Sequence, residues 1–215
     1  MLYCPKNIRR KRFFLEKEKI CDMLEEKQGV FFMKKIFVIL FCLLTFSVFS
    51  SELRVWSGGF VGSDSNALVT CKKSQGIFRV WQGGYVDSDL RAVLTADWSC
   101  DVFRVWSGNG VDADSMAIAV VKESKGVLRI WQGSCAGSDA TAVYTAKRSR
   151  NICRIWRGGQ VRNDAGAKFT MKTSDGVMRV WQGGFVGSDS RAVLTIKNAN
   201  RYPIHFLVYL IAGVR

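Results

Sequence analysis

The chain has 215 residues, with 20 Gly, 2 Pro, 7 Trp and a formal net charge of +14, enough for one domain with a sizeable core or a small array. Scarce proline beside abundant glycine and tryptophan excludes a disordered Pro/Ser-rich segment and points to tight turns alternating with aromatic packing. Residues 1–50 carry +5, from ten Lys/Arg and five Asp/Glu, and residues 51–215 carry +9, from 22 and 13; the second figure suits attraction to acidic polymers such as DNA, lipopolysaccharide or anionic lipid, although the basic residues are spread along the chain as on a solvated surface.

Met33-Lys34-Lys35 precedes an apolar run from Ile36 to Phe49, interrupted by Thr45 and Ser47 and followed by Ser50 and Ser51. A positive start, a short apolar stretch and small residues at the exit describe a secretory signal peptide over 33–50, cleaved after Ser50. The run is short of the roughly 20 residues that cross a bilayer. Residues 1–32 are too long for a signal's charged region. Gln28 to Met33 back-translates as CAA GGA GTT TTT TTT ATG, which holds the ribosome-binding sequence AAGGAG. Met33 therefore reads as the true start and 1–32 as translated leader. The expected location is periplasmic or secreted.

A 25-residue period runs through 51–200 in six copies: Trp56, Trp81, Trp106, Trp131, Trp156 and Trp181 recur in step. Two residues before them stand Arg54, Arg79, Arg104, Arg129, Arg154 and Arg179; two after stand Gly58, Gly83, Gly108, Gly133, Gly158 and Gly183. Eight after stand Asp64, Asp89, Asp114, Asp139, Asp164 and Asp189, and eleven after stands an alanine in every copy. Each copy reads as two strands, of the types Phe78–Gln82 and Arg91–Ala96, rich in aromatic and β-branched residues. Gly83 and Gly84 allow a positive φ between them, and Asp89 suits an Asx-type turn. A polar stretch such as Lys72–Gly76 leads to the next copy. The period divides into a 12-residue and a 13-residue half, too short for a four-strand propeller blade. The fold class is all-β: six two-strand repeats forming a closed β array or a β-solenoid. No stretch after the signal carries a sustained helical period.

Runs such as Ser88-Asp89-Leu90-Arg91-Ala92-Val93-Leu94 resemble the short Ala/Ser-Asp-x-Lys/Arg-Val-x-Val units of the septoil-knot family, small β-rich bacterial domains. The resemblance covers 52–200 and implies a chain wound repeatedly through itself, with no catalytic residues to carry over. The Arg-x-Trp strands, the Gly-Gly turns and the number of units depart from the family pattern.

A side chain required in every copy is required by the fold, so the Trp columns are expected between layers, with the arginines paired to the Asp column or stacked on rings. The alternative is a multivalent carbohydrate-binding surface of Trp faces flanked by Arg and Asp. A single reaction centre would show instead as residues peculiar to one copy. The one histidine, His205, lies outside the repeats, so the common nucleophile–base and metal-cluster arrangements lack their usual member. Asp87/Asp89 and Asp112/Asp114 have calcium-like spacing in two copies only and read as turns. No phosphate-cradling loop occurs, and no cofactor or metal is expected. Cys71, Cys135 and Cys153 fall in apolar columns suited to buried thiols, Cys100 in a polar turn column, and Trp98 reads as a turn-packing aromatic. Residues 201–215 break the pattern as an irregular tail, a capping strand or a frame error. The expected function is non-enzymatic: an exported repeat protein with a structural or interaction role at the cell envelope. Envelope glycan is the first alternative partner, and nucleic acid or another anionic polymer the second.

Overall fold

The structure, a computed structural model, describes residues 52–213; the expected leader and signal peptide lie outside the described residues. Among these residues twelve strands follow in chain order: β1 (Leu53–Ser57), β2 (Val69–Ser74), β3 (Ile77–Gln82), β4 (Leu94–Ser99), β5 (Val102–Ser107), β6 (Ala119–Ser124), β7 (Val127–Gln132), β8 (Tyr144–Ser149), β9 (Ile152–Arg157), β10 (Phe169–Ser174), β11 (Val177–Gln182) and β12 (Leu194–Lys197). Each pairs antiparallel with its chain neighbours, and β1 pairs with β12, so the sheet closes into a barrel. This is the closed array of two-strand repeats that the period predicts, in its barrel form rather than as a solenoid. The strand order is purely up-and-down; the interwinding implied by the septoil-knot resemblance is not part of it.

The two kinds of connection explain the period. Between copies, two residues suffice: Gln75-Gly76, Lys125-Gly126 and Asp175-Gly176 all have positive φ at both positions, the signature of a type I′ hairpin turn. Within a copy, a longer loop leaves the barrel end and drapes over the outer wall before a 3-10 turn such as Asp64–Asn66 returns the chain to the sheet.

Alternation places Leu53 and Val55, Phe78 and Val80, Phe103 and Val105, and their equivalents inside. An eight-stranded barrel is filled by its own side chains, and the diameter grows with strand number. Twelve strands leave a lumen wide enough for a helix, as in large closed sheets generally. The chain supplies one: α1 (Ile204–Gly213) is apolar on every side, with His205, Phe206, Leu207, Val208, Leu210, Ile211 and Ala212 all buried. A helix hydrophobic all round is a core helix. The expectation of an irregular tail with no helix after the signal is thus corrected. The helix has no amphipathic stripe because the barrel surrounds it.

Before α1, Tyr202 anchors the tail to β1 and β2: its hydroxyl donates to the Cys71 carbonyl at 2.8 Å and accepts from the Leu53 amide at 3.3 Å. Phe206 then stacks on Phe78 and Tyr202 and meets Phe103 edge-on. Truncating a buried aromatic removes its burial and leaves a cavity. Phe206→Ala should cost about 3–5 kcal/mol, read as a shift in the denaturant midpoint. A change typical of an exposed position, within about 0.5 kcal/mol, would place the helix outside the lumen.

Candidate functional site

The repeated columns meet on the outer wall. Arg54 and Trp56 alternate with the lumen-facing Leu53 and Val55, so they point outward. The draped loop covers the indole, whose Nε1 donates to the Ser63 carbonyl at 2.9 Å. The same bond recurs at Trp81, Trp106, Trp131, Trp156 and Trp181, to Ser88, Ala113, Ser138, Asn163 and Ser188. All six rings are 1–6% exposed. The alternative in which Trp faces stack on sugars is therefore corrected: the faces are spent on the protein's own loops.

Arginine has two partners. Arg54 meets Asp64 of its own copy at 3.3 Å, and its Nε donates to the Gly84 carbonyl of the next at 3.0 Å. Arg79–Asp89, Arg104–Asp114, Arg129–Asp139, Arg154–Asp164 and Arg179–Asp189 repeat the ion pair at 2.9–3.4 Å. Arg179 reaches the Gly59 carbonyl at 3.0 Å, so the clasp runs across the β12–β1 closure. Each aspartate opens the 3-10 turn of its copy, in the turn place expected of the Asp column, and its carboxylate pairs with the arginine where an Asx hydrogen bond was expected. Gly58, Gly83, Gly108, Gly133, Gly158 and Gly183 do sit at φ of 85–90°. Gly84 is needed for a different reason: a Cβ there would lie 1.7 Å from the Asp64 carbonyl oxygen.

Ser134 occupies the Gly84 position in the fourth copy. There the clasp opens: Arg104 turns to the Ser99 carbonyl, and its buried Nε has no partner. Asn109, at the same position in the third copy, leaves Arg79 a longer bond of 3.4 Å.

Two periodic columns went unnoticed in the sequence, although the same 25-residue spacing carries them. Thr70, Thr95, Thr145, Thr170 and Thr195 are fully buried and donate to the Gly83, Gly108, Gly158, Gly183 and Gly58 carbonyls at 2.6–2.8 Å; Val120 takes the sixth place. Lys72, Lys122, Lys147, Lys172 and Lys197, with Asp97 as the sixth member, stand directly across from Arg79, Arg129, Arg154, Arg179, Arg54 and Arg104. Like charges directly opposite repel, and the aspartates offset that repulsion at the five arginines that face a lysine. The lysines are left as a belt around the outer wall.

The remaining candidates do not converge. Cys71 and Cys153 are buried free thiols; burial pushes Cys153 up to about 12 and raises Cys71 as well, so neither supplies a thiolate at neutral pH. Cys100 and Cys135 are exposed and free, which corrects the buried place expected for Cys135. Asp87 pairs with Arg91 at 2.9 Å and Asp89 with Arg79. Among the described residues no three His, Cys, Asp or Glu gather as for a metal. Trp98 packs edge-on against His205, ring centroids 4.7 Å apart. Phe60, Tyr85 and Phe185, on three loops that are neighbours around the closed ring, are 64–67% exposed.

The chain matches no protein-family model and no curated protein.

The clasp predicts opposite signs at equivalent positions. Gly84→Ala should destabilise by about 1–3 kcal/mol, because the methyl meets backbone that cannot yield. Ser134→Gly should stabilise by up to about 1 kcal/mol, as relief of an unpaired buried donor outweighs the added freedom of glycine when unfolded. Thermal melts of both variants check the pair. His205 is the sole histidine; burial lowers its pKa, and Glu123 at 3.7 Å opposes this weakly. Its unfolded form binds the proton first, so its share of stability is complete above about pH 6.5 and declines as pH falls below that value. His205→Gln should remove that part of the pH dependence of the denaturant midpoint.

Proposed function

We propose that this protein is a non-enzymatic, exported interaction protein of the cell envelope, and that it works by holding an acidic surface polymer against its outer wall. The lysine belt carries this reading. The six arginines are spent on aspartates and carbonyls, but Lys72, Lys122, Lys147, Lys172 and Lys197 stand at one level of the barrel without a carboxylate directly opposite. Alternate strands of a sheet lie about 10 Å apart, so the belt is a periodic row of cations, suited to a flexible polyanion more than to a small ligand. The mature charge of +9 over residues 51–215 adds long-range attraction.

A second reading, glycan binding, moves from the tryptophans to the loops. Tyr85 flanks a groove of about 450 Å³ that also takes in Gln82, Asp87, Arg91 and the Gly83-Gly84 backbone. An exposed ring beside hydrogen-bonding groups is what a sugar requires, and Phe60 and Phe185 offer rings at the same level.

The two separate cleanly. Binding to a carboxylated or sulfated polysaccharide and to DNA, measured between 50 and 200 mM salt, should weaken steeply for the belt and fall further in Lys122→Glu/Lys147→Glu. No binding to either polyanion at low salt would remove the polymer reading. A neutral-glycan array with Tyr85→Ala as control tests the second, and silence across the array would remove it.

A further inference from the structure

A cleft in the barrel lies beside Ala212 and Gly213 of α1, at the end of the lumen from which the draped loops leave. It holds about 570 Å³ and is walled by Ala119, Ile130, Tyr144, Tyr209 and Ala212, with Arg157 at its rim. That is within the size range of small-molecule sites. Each feature is a departure from the repeat. Ala119 is the smallest member of a lumen-facing column that otherwise reads Val69, Leu94, Tyr144, Phe169 and Leu194, so the wall recedes there. Ala212 and Gly213 of α1 add two small residues to the lining.

The cations depart as well. Arg157 stands in a column of Ser57, Gln82, Ser107, Gln132 and Gln182, and Lys168 in one of Leu68, Val93, Ile118, Val143 and Val193. Arg157 is cross-strand partner to Tyr144, and Lys168 donates to the Tyr144 hydroxyl at 3.3 Å. Neither cation forms an ion pair with a carboxylate among the described residues. Residues peculiar to one copy are thus gathered at one place, where an apolar recess opens beside Arg157, and Lys168 sits next to it on the Tyr144 hydroxyl.

We propose that this cleft binds an anionic amphiphile of the fatty-acid type, its acyl chain lying between Ala119, Ile130 and Tyr209 and its carboxylate at the rim on Arg157, with Lys168 close by as a second cation. The site is independent of the lysine belt, since none of the five belt lysines lines it. An apolar recess alone takes any hydrophobe; the cationic rim selects an acid, because a charge-assisted hydrogen bond is roughly twice as strong as a neutral one.

Isothermal titration with decanoate should show one saturable site per chain, and decan-1-ol should bind the same recess. Arg157→Gln and Lys168→Val restore residues found in other copies, so the barrel tolerates them; each should weaken decanoate about tenfold and leave decan-1-ol unchanged. Ala119→Leu, which copies Leu94 and Leu194, should abolish both. If that variant melts earlier than the parent, Ala119→Val, which copies Val69, takes its place with a graded loss expected. No saturable decanoate binding to the parent chain would overturn the proposal. So would undiminished binding in the folded Ala119 variant, or equal weakening of acid and alcohol in Arg157→Gln. Charge reversal at Lys122 and Lys147 should not alter decanoate binding, which keeps this result distinct from that of the belt.

Discussion

Closing twelve strands into one sheet creates a lumen that the inward side chains alone do not fill, and much else in the molecule answers that constraint. An empty apolar lumen forfeits dispersion contacts along its whole lining. The C-terminal helix occupies it, and its composition follows from the place: apolar on all sides, with His205 tolerated only at the entrance, against Trp98 and within reach of Glu123. Tyr202 links the plug to β1 and β2, so the segment that fills the barrel is also hydrogen-bonded to its wall. The cleft at the far mouth is the remainder of the same problem, left where the helix ends and Ala119 withdraws.

The outer wall is held by a second device, cooperative around the ring. Each loop folds back over its own tryptophan, and the arginine beneath ties that loop to its own aspartate and to the next copy's carbonyl. At Gly59, Gly84, Gly159 and Gly184 the lack of a Cβ lets the neighbouring aspartate's carbonyl approach, while Asn109 in the same column keeps the arginine bond at a longer 3.4 Å. Ser134 is a natural test of that condition: one side chain too many, and Arg104 is left with a buried unpaired nitrogen. Trp, Arg, Asp and Gly are therefore repeated as parts of one fastening. Copies differ inside the lumen and also at the rims, the loop tips and the belt, where recognition has side chains to work with.

Much of this was legible along the chain. Alternation in Phe78–Gln82 and its equivalents identified strands, and Gly58 and its column foretold the positive-φ turns. The pairing of the Arg and Asp columns also followed from repetition. The Lys and Thr columns were equally periodic, but their meaning depended on which face of the strand they occupied and on what lay across from them. Cys135 was misplaced for a related reason: its column neighbours Phe60, Tyr85 and Phe185 are apolar, yet all sit exposed on loops, so apolar company in a column did not imply burial. The helix was invisible to a search for amphipathic period, because a helix surrounded by sheet has no polar face to reveal its pitch.

The sequence by itself determined the unit: two strands, the glycine turn between them and six copies in step. Those are properties of neighbouring residues, governed by local backbone preference and the two-residue alternation of a strand. Only the tertiary structure decided that the array closes between β1 and β12, that the tail enters it, that the tryptophans lie beneath their loops and that five lysines share one level. Closure depends on twist and register accumulated around the whole ring, and no single repeat contains that sum.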